Sequence, residues 1–341
     1  MQVVRGGAQL SFEVTDAGHV GACRRAAQKM AEVWQLNGTC VGQVGIVAAE
    51  LATNLVKHAK GGELLIQPIH DDDICQIELL AIDRGPGMAR VADCIQDGYS
   101  TTGTAGTGFG AVKRLASVFD AYSQPGTGSI VLARVAEATA NSKAPLRRSS
   151  QLGMISLPMR GEFECGDTWS VAHSLSTTSL LVVDGLGHGP LAAVAATTAA
   201  SAYAESPFNS PQETMHTLHR RLGGTRGAAA ACALCDDESS TLSYAGIGNI
   251  AGCIVSAGVQ TGLLSHNGTL GLVLSRSQSI TYDWPVQALL VMHSDGLSAR
   301  WSLADYPGLT ERHPAVIAAA LVRDFSRGRD DSTVVVARRL Q

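Results

Sequence analysis

The sequence has no uninterrupted apolar stretch of about twenty residues, which leaves no segment for a simple membrane-spanning helix. It also lacks an excess of either charge. There are 26 lysines and arginines against 30 aspartates and glutamates, a net charge of −4, and neither half is basic. That balance argues against nucleic acid or an anionic membrane surface as partner. The opening MQVVRGGAQLSFEV has no basic-then-apolar leader pattern. Among the eight cysteines the one close pair, Cys232 and Cys235 in CALC, has no second pair to complete a zinc site. Its alternating surroundings read as a strand with buried free thiols, so the expected compartment is a reducing cytoplasm.

What is present describes an ordinary globular chain of two domains: 341 residues, 45% apolar and 16% charged. Composition breaks once, at the polar, proline-bearing stretch EATANSKAPLRRSS. The expected organisation is a domain over 1–137, a linker over 138–151 and a second domain over 152–341. In the first half a strand (GAQLSFEV) precedes helices at about 17–35 and 41–60. Strands ELLIQPI and ICQIELLAID follow, then a helix at about 109–118 and a strand near SIVLARV. Helices over an antiparallel sheet make an α+β layer arrangement. In the second half the short β runs SLLVVD, AAAACALCD, TLSYAGIG, IAGCIVS, ALLVMHSD and STVVVARR alternate with helices at about 189–204, 211–222 and 314–326. That pattern predicts sheet-on-sheet packing with helices outside.

Three stretches of the first half carry polar chemistry. ELATNLVKHA places Glu50, Asn54 and His58 at i, i+4 and i+8, on one face of a largely apolar helix. DRGPGM ends a hydrophobic strand with Asp83 and two glycines. GTAGTGFGAVKRL is a glycine-rich loop running into a helix, which offers backbone N–H groups and a helix N-terminus to phosphate. Each alone also reads as a solvated stripe or a turn; their order along the chain is the stronger signal.

Acids at four places in the second half stand at ends of β runs or beside glycine. They are Asp167 in ECGDTWS, Asp184 in VVDGLGHG, Asp295 in MHSDGLS and the pair Asp330–Asp331 in GRDDSTVVV. Singly each reads as a turn residue. Gathered at strand mouths, carboxylates repel one another unless cations neutralise them, and hard oxygen ligands without a His or Cys cluster suit Mg²⁺ or Mn²⁺.

On its three boxes, residues 10–136 resemble the GHKL ATPases, in particular the RsbT- and RsbW-type serine kinases of bacterial partner switching. The resemblance implies a Bergerat-type α/β sandwich binding ATP and Mg²⁺. Asn54 then holds the metal, Glu50 is the base that takes the proton of the attacking serine, and Asp83 accepts from the adenine amino group. Gly85 and Gly87 let backbone approach the base, and Gly106, Gly108 and Gly110 shape the lid over the phosphates. His58 is read as structural, and Lys113 and Arg114 as a solvated helix face.

On order and spacing, residues 154–339 resemble the PPM metal-dependent serine/threonine phosphatases, in the SpoIIE and RsbX branch. This implies an α-β-β-α sandwich with two Mn²⁺ or Mg²⁺ ions and water as nucleophile. By the resemblance Asp184 bridges both ions, and the Gly185 carbonyl reaches one of them through water. Asp167 serves the second, while Asp295 and Asp330, with Asp331 as neighbour, serve the first. Many PPM enzymes carry a histidine two residues after the bridging acid. Here that position is Leu186 and the histidine comes at His188, which is left out of the catalytic set. GIGN, ending at Asn249, resembles the family's Gly-x-Gly-Asn turn and reads as structural. Together the resemblances imply a bifunctional regulator that phosphorylates and dephosphorylates STAS-domain antagonist proteins, with an anti-sigma or downstream signalling protein as further partner and a homodimer left open. The alternative is a phosphatase whose first domain binds ATP without transferring phosphate, as a sensor or anti-sigma binding module.

Overall fold

A computed structural model describes residues 3–6, 9–71, 74–91, 108–137, 150–274 and 276–340. The chain divides into two compact units: Gly7–Ser142 with Gly308–Arg312, and Met1–Gly6 with Lys143–Pro307 and His313–Gln341.

The unit built mainly from the first half carries helices α1 (Ala17–Val33), α2 (Gly38–Ala59) and α3 (Gly108–Leu115). Its five strands are β2 (Leu10–Val14), β3 (Gly62–Asp71), β4 (Ile74–Ile82), β5 (Val118–Gln124) and β6 (Gly128–Ala136). They form one antiparallel sheet in the order β2-β3-β4-β6-β5. Both long helices start on side-chain caps: Asp16 accepts from the Gly18 N–H at 2.7 Å, and Asn37 from the Cys40 N–H at 2.9 Å. Alternate strand residues Leu64, Ile66, Ile77, Leu79, Val131, Ala133 and Val135 meet Val44, Val47, Leu51 and Leu55 of α2 in the core. By length and composition α2 would pass for a membrane span; here its apolar face fills the core of this unit.

Register puts a polar row across this sheet. Gln67 pairs with Glu78, and Glu78 with Arg134. All three are buried, with Glu78 only 1% exposed. The Arg134 Nε–H donates to Glu78 Oε2 at 2.7 Å, and the Gln67 amide to Oε1 at 2.7 Å. Removing one member of a buried charge pair leaves the other uncompensated. Arg134→Met is therefore expected to cost about 3–5 kcal/mol, read as a lower urea midpoint for unfolding.

The other unit has two antiparallel layers. One holds β1 (Val3–Arg5), β8 (Asp167–His173), β9 (Thr177–Gly185), β10 (Ala228–Asp236), β11 (Thr241–Ile247) and β14 (Ser265–His266) in that order, with β15 (Ile280–Asp283) also on β11. The β11–β14 pairing is its one parallel contact among the described residues. The other layer runs β13 (Val259–Leu263), β12 (Ala251–Ser256), β16 (Leu289–His293), β17 (Ser332–Arg339), β7 (Ser150–Leu157). Helices α4 (Pro190–Glu205) and α5 (Pro211–Arg221) cover the first sheet, and α6 (Pro314–Phe325) packs on β7 and β17 of the second. The result is the α-β-β-α sandwich expected from the pattern. Gly153 permits the close approach of α6: a Cβ there would lie 2.0 Å from the Ala315 nitrogen.

Three details depart from the sequence reading. Residues 3–5, grouped by sequence with the first domain, pair with Ser170–Ala172 of β8. Strand β7 opens at Ser150, inside the expected linker, because the buried Ser150 hydroxyl pairs with Thr178 at 2.7 Å and its backbone pairs with Arg339. The helix expected to reach Val118 stops at Leu115, and Val118 opens β5 along β6.

Candidate functional sites

In the first unit, α2 carries the polar face. Glu50 and Asn54 are half-buried and His58 is exposed. Among the described residues, the buried Nδ2 atom of Asn54 has no hydrogen-bond partner. Buried amides are almost always satisfied, so an orphan marks a place where a ligand atom is missing. Because the two ends of a carboxamide exchange by rotation about its terminal bond, the same end is open to an oxygen facing a cation.

Asp83 follows β4 directly. Its Oδ1 accepts from the Gly85 N–H at 2.7 Å and the Ser129 N–H at 3.1 Å, while its own N–H donates to Ser129 O at 2.9 Å. A Cβ on Gly62 would touch both the Leu55 side chain and Asp83 Cβ, so Asp83 lies against the last turn of α2. Gly85 is held there too: a Cβ would lie 2.7 Å from Ala59 Cα. Gly87 has φ +69°, and a Cβ would stand 2.1 Å from the Gln124 carbonyl oxygen. Both glycines thus answer to close packing of the protein's own backbone. Gly108 opens α3, which packs on α2, and Gly110 is buried within it; Gly106 lies outside the described residues. Lys113 and Arg114 are exposed on α3.

The second unit gathers all the sequence-marked acids. Antiparallel register sets Asp167 of β8 directly opposite Asp184 of β9, with Ala229 of β10 on the other flank. Asp295 follows β16 and Asp330–Asp331 precede β17, neighbouring strands of the other sheet. Ser294 ties the two sheets: its hydroxyl donates to Asp167 Oδ2 at 2.5 Å and accepts from the Thr333 N–H at 3.0 Å. Asn249, between β11 and β12, donates to Asp295 Oδ2 at 2.7 Å.

The electrostatics record the crowding. Burial, then Asp184, Asp331 and Asp330, push the Asp167 carboxyl well above the usual carboxylate range against the Ser294 hydrogen bond. Burial, then Asp295, Asp330 and Asp331, push Asp184 up to about 7, partly offset by Asn249. Asp331 is raised mainly by burial. Its oxygens are taken by the Met159 N–H at 2.6 Å and the Gly166 N–H at 2.8 Å, so it clamps the 159–166 segment. Among the described residues, no lysine or arginine pairs with any of the five. Nor does any group of three or more His, Cys, Asp or Glu side chains there form a ready-made metal-binding cluster. Unneutralised like charges draw apart, and hard carboxylate oxygens in this number are the donor chemistry of a divalent cation.

Gly185 has a packing reason of its own. Its N–H donates to Gly166 O at 3.0 Å, and a Cβ would stand 2.3 Å from the Ala192 carbonyl oxygen of α4. His188 is half exposed and pairs through Nδ1 with Glu162 Oε1 at 2.8 Å. Ser294 and Asn249 are site residues that the sequence reading passed over. Asn249 was visible as the end of GIGN, and Ser294 had no signal beyond standing next to Asp295.

The model of the family "Stage II sporulation protein E (SpoIIE)" matches residues 175–340, and that of the "Histidine kinase-like ATPase domain" matches residues 12–135. The serine/threonine-protein kinase RsbT of Bacillus subtilis (strain 168) is 32% identical over 114 residues, covering 33% of this chain and 84% of that protein. A solved structure described as "The bacterial stressosome: a modular system that has been adapted to control secondary messenger signaling" aligns at 30% identity and TM-score 0.52, over 56% of this chain and all of that one. A crystal structure of RsbX in complex with magnesium aligns at 19% identity and TM-score 0.49, over 56% of this chain and 95% of that one. The chain belongs to the RsbT family of histidine kinase-like ATPase domains through its first half, and joins to it a SpoIIE-type PPM phosphatase domain.

Proposed function

We propose that the chain is a bifunctional partner-switching regulator that phosphorylates and dephosphorylates serines or threonines of STAS-domain antagonist proteins. The observation that carries it is the presence of two separate sites in one chain. One is the Glu50–Asn54 face, whose amide nitrogen has no partner among the described residues, and the other the group of aspartates that no described lysine or arginine pairs with. The relation to RsbT and the stressosome likeness support STAS-domain partners, with an anti-sigma or other signalling protein downstream. The free state of the seven described cysteines supports action in the cytoplasm.

In the kinase half, ATP with Mg²⁺ supplies the phosphoryl group and its charge neutralisation. Asn54 holds the cation, and Glu50, one helical turn away, accepts the proton of the attacking hydroxyl. Asp83 offers a fixed acceptor to the adenine edge beside Gly85 and Gly87, and by the resemblance Gly106, Gly108 and Gly110 would shape the lid over the phosphates. In the phosphatase half, two Mn²⁺ or Mg²⁺ ions supply water activation and charge neutralisation for in-line hydrolysis. Asp167, Asp184, Asp295 and Asp330 hold them with the Gly185 carbonyl, and Asp331 braces the loop behind Asp167. Asn249 and Ser294 orient the carboxylates.

The test is to incubate the purified chain with Mg-ATP and a panel of STAS-domain proteins, then with Mn²⁺ after ATP is removed. Phosphate should first enter one STAS protein and then leave it. No transfer to any member and no Mn²⁺-dependent release would sink the reading. Asn249→Ala is expected to raise the Mn²⁺ concentration for half-maximal phosphatase activity about 10–100-fold, as loss of an outer-shell partner does.

A further inference from the structure

We infer that Arg226 is the residue that grips the phosphoryl group of the substrate at the aspartate cluster. This rests on the phosphatase reading above and adds a residue that neither the motifs nor the acids supply.

Arg226 stands in a short turn before β10, and that turn is fixed. The Thr225 hydroxyl donates to Leu222 O at 2.8 Å and accepts from the Gly227 N–H at 3.0 Å. The Leu186 N–H donates to Gly227 O at 3.0 Å, which stitches the turn to the loop leaving Asp184 and Gly185. The guanidinium lies over that loop: a Cβ on Gly187 would be 3.1 Å from Arg226 Nη1, and Gly187 has φ +89°. The Gly187 carbonyl oxygen lies 3.5 Å from where a Cβ on Gly166 would stand, and that same point is 2.7 Å from Asp331 Oδ2. Arg226 therefore stands at the rim of the cluster, one loop away from the carboxylates.

Charge at this rim is divided unevenly. Glu162, the nearby acid, is already paired with His188. Arg226 is exposed and, among the described residues, makes no ion pair or hydrogen bond, with the five aspartates or otherwise. A cation kept beside an acidic cluster but not spent on it is suited to an incoming anion. A phosphoserine or phosphothreonine carries up to two negative charges that five aspartates would repel. A guanidinium presents a planar fork that matches two phosphoryl oxygens at once.

The experiment is steady-state hydrolysis of p-nitrophenyl phosphate in Mn²⁺, with inorganic phosphate as competitor, by the full chain and its R226A and R226K forms. R226A should raise KM and the phosphate inhibition constant about ten-fold, with a smaller change in kcat. R226K should recover part of that loss, because it keeps the charge without the fork. The rise in melting temperature on adding Mn²⁺ should be the same in all three proteins. Unchanged KM and phosphate inhibition in R226A would overturn the assignment. So would loss of the Mn²⁺-induced stabilisation, which would make Arg226 a support of the metal site. A wild-type chain inactive on every phosphomonoester would instead overturn the phosphatase reading itself.

Discussion

Replacing Asp184 with Asn is expected to abolish Mn²⁺-dependent phosphatase activity, by on the order of 10³-fold or more, while raising the melting temperature of the metal-free protein. Both effects come from one position. Asp184 faces Asp167 across the β8–β9 ladder and has its carboxyl pushed up to about 7 by burial and by Asp295, Asp330 and Asp331. Asn keeps the size and removes the charge, so the remaining acids repel one another less and the apo fold gains. The same change removes the carboxylate that, on the proposed reading, would serve both ions. Mn²⁺ at a hundred times its dissociation constant stabilises a folded protein by about 2.7 kcal/mol, and that increment should disappear in the variant. Opposite signs for apo stability and activity separate this outcome from misfolding, which would lower both. Thermal melts with and without Mn²⁺, beside a phosphatase assay, read all three quantities. An apo variant that melts below wild type, or one that keeps its activity, would remove Asp184 from the centre of the site.

The acids were legible because a carboxylate at the mouth of an apolar run is a local pattern. VVDG, HSDG and RDDS each announce themselves within four residues. What local pattern cannot give is register. That Asp167 meets Asp184 rather than a residue two places along follows from the β8–β9 pairing, which no single stretch encodes. Ser294 was hidden for the same reason, and Asn249 was marked only as the end of GIGN with no readable role, since both act through hydrogen bonds to residues far away in the chain. Asp331 shows the converse: adjacent to Asp330 and chemically identical, it spends its oxygens on the Met159 and Gly166 N–H groups. Strand β1 is three residues long and pairs with a strand more than 160 residues away, so neither length nor alternation marks it. At Gly85, Gly87 and Gly185 the sequence marked the positions, but the close neighbours are Ala59, Gln124 and Ala192 of the protein itself.

Glu50→Ala and Asn54→Ala are expected to fail in different ways, and the difference decides what the first unit does. Both residues face the same side of α2, one turn apart, and neither belongs to the apolar set that packs on the sheet. Loss of Asn54 removes the half-buried amide whose nitrogen has no partner among the described residues, so fluorescent Mg-ATP should bind far more weakly, by about a hundred-fold. Loss of Glu50 removes a base but no cation ligand. Nucleotide affinity should therefore stay within a few-fold of wild type while transfer from labelled ATP to a STAS-domain protein falls by about 10²–10⁴-fold. A pure ATP sensor needs Asn54 and the glycines but has no use for that carboxylate. In such a protein Glu50→Ala would be silent in every assay, and wild type would bind ATP without labelling any STAS protein. Equal labelling by wild type and the Glu50→Ala form would instead keep the kinase and remove Glu50 as its base. Separating affinity from transfer in two single variants thus distinguishes a kinase from a binding module.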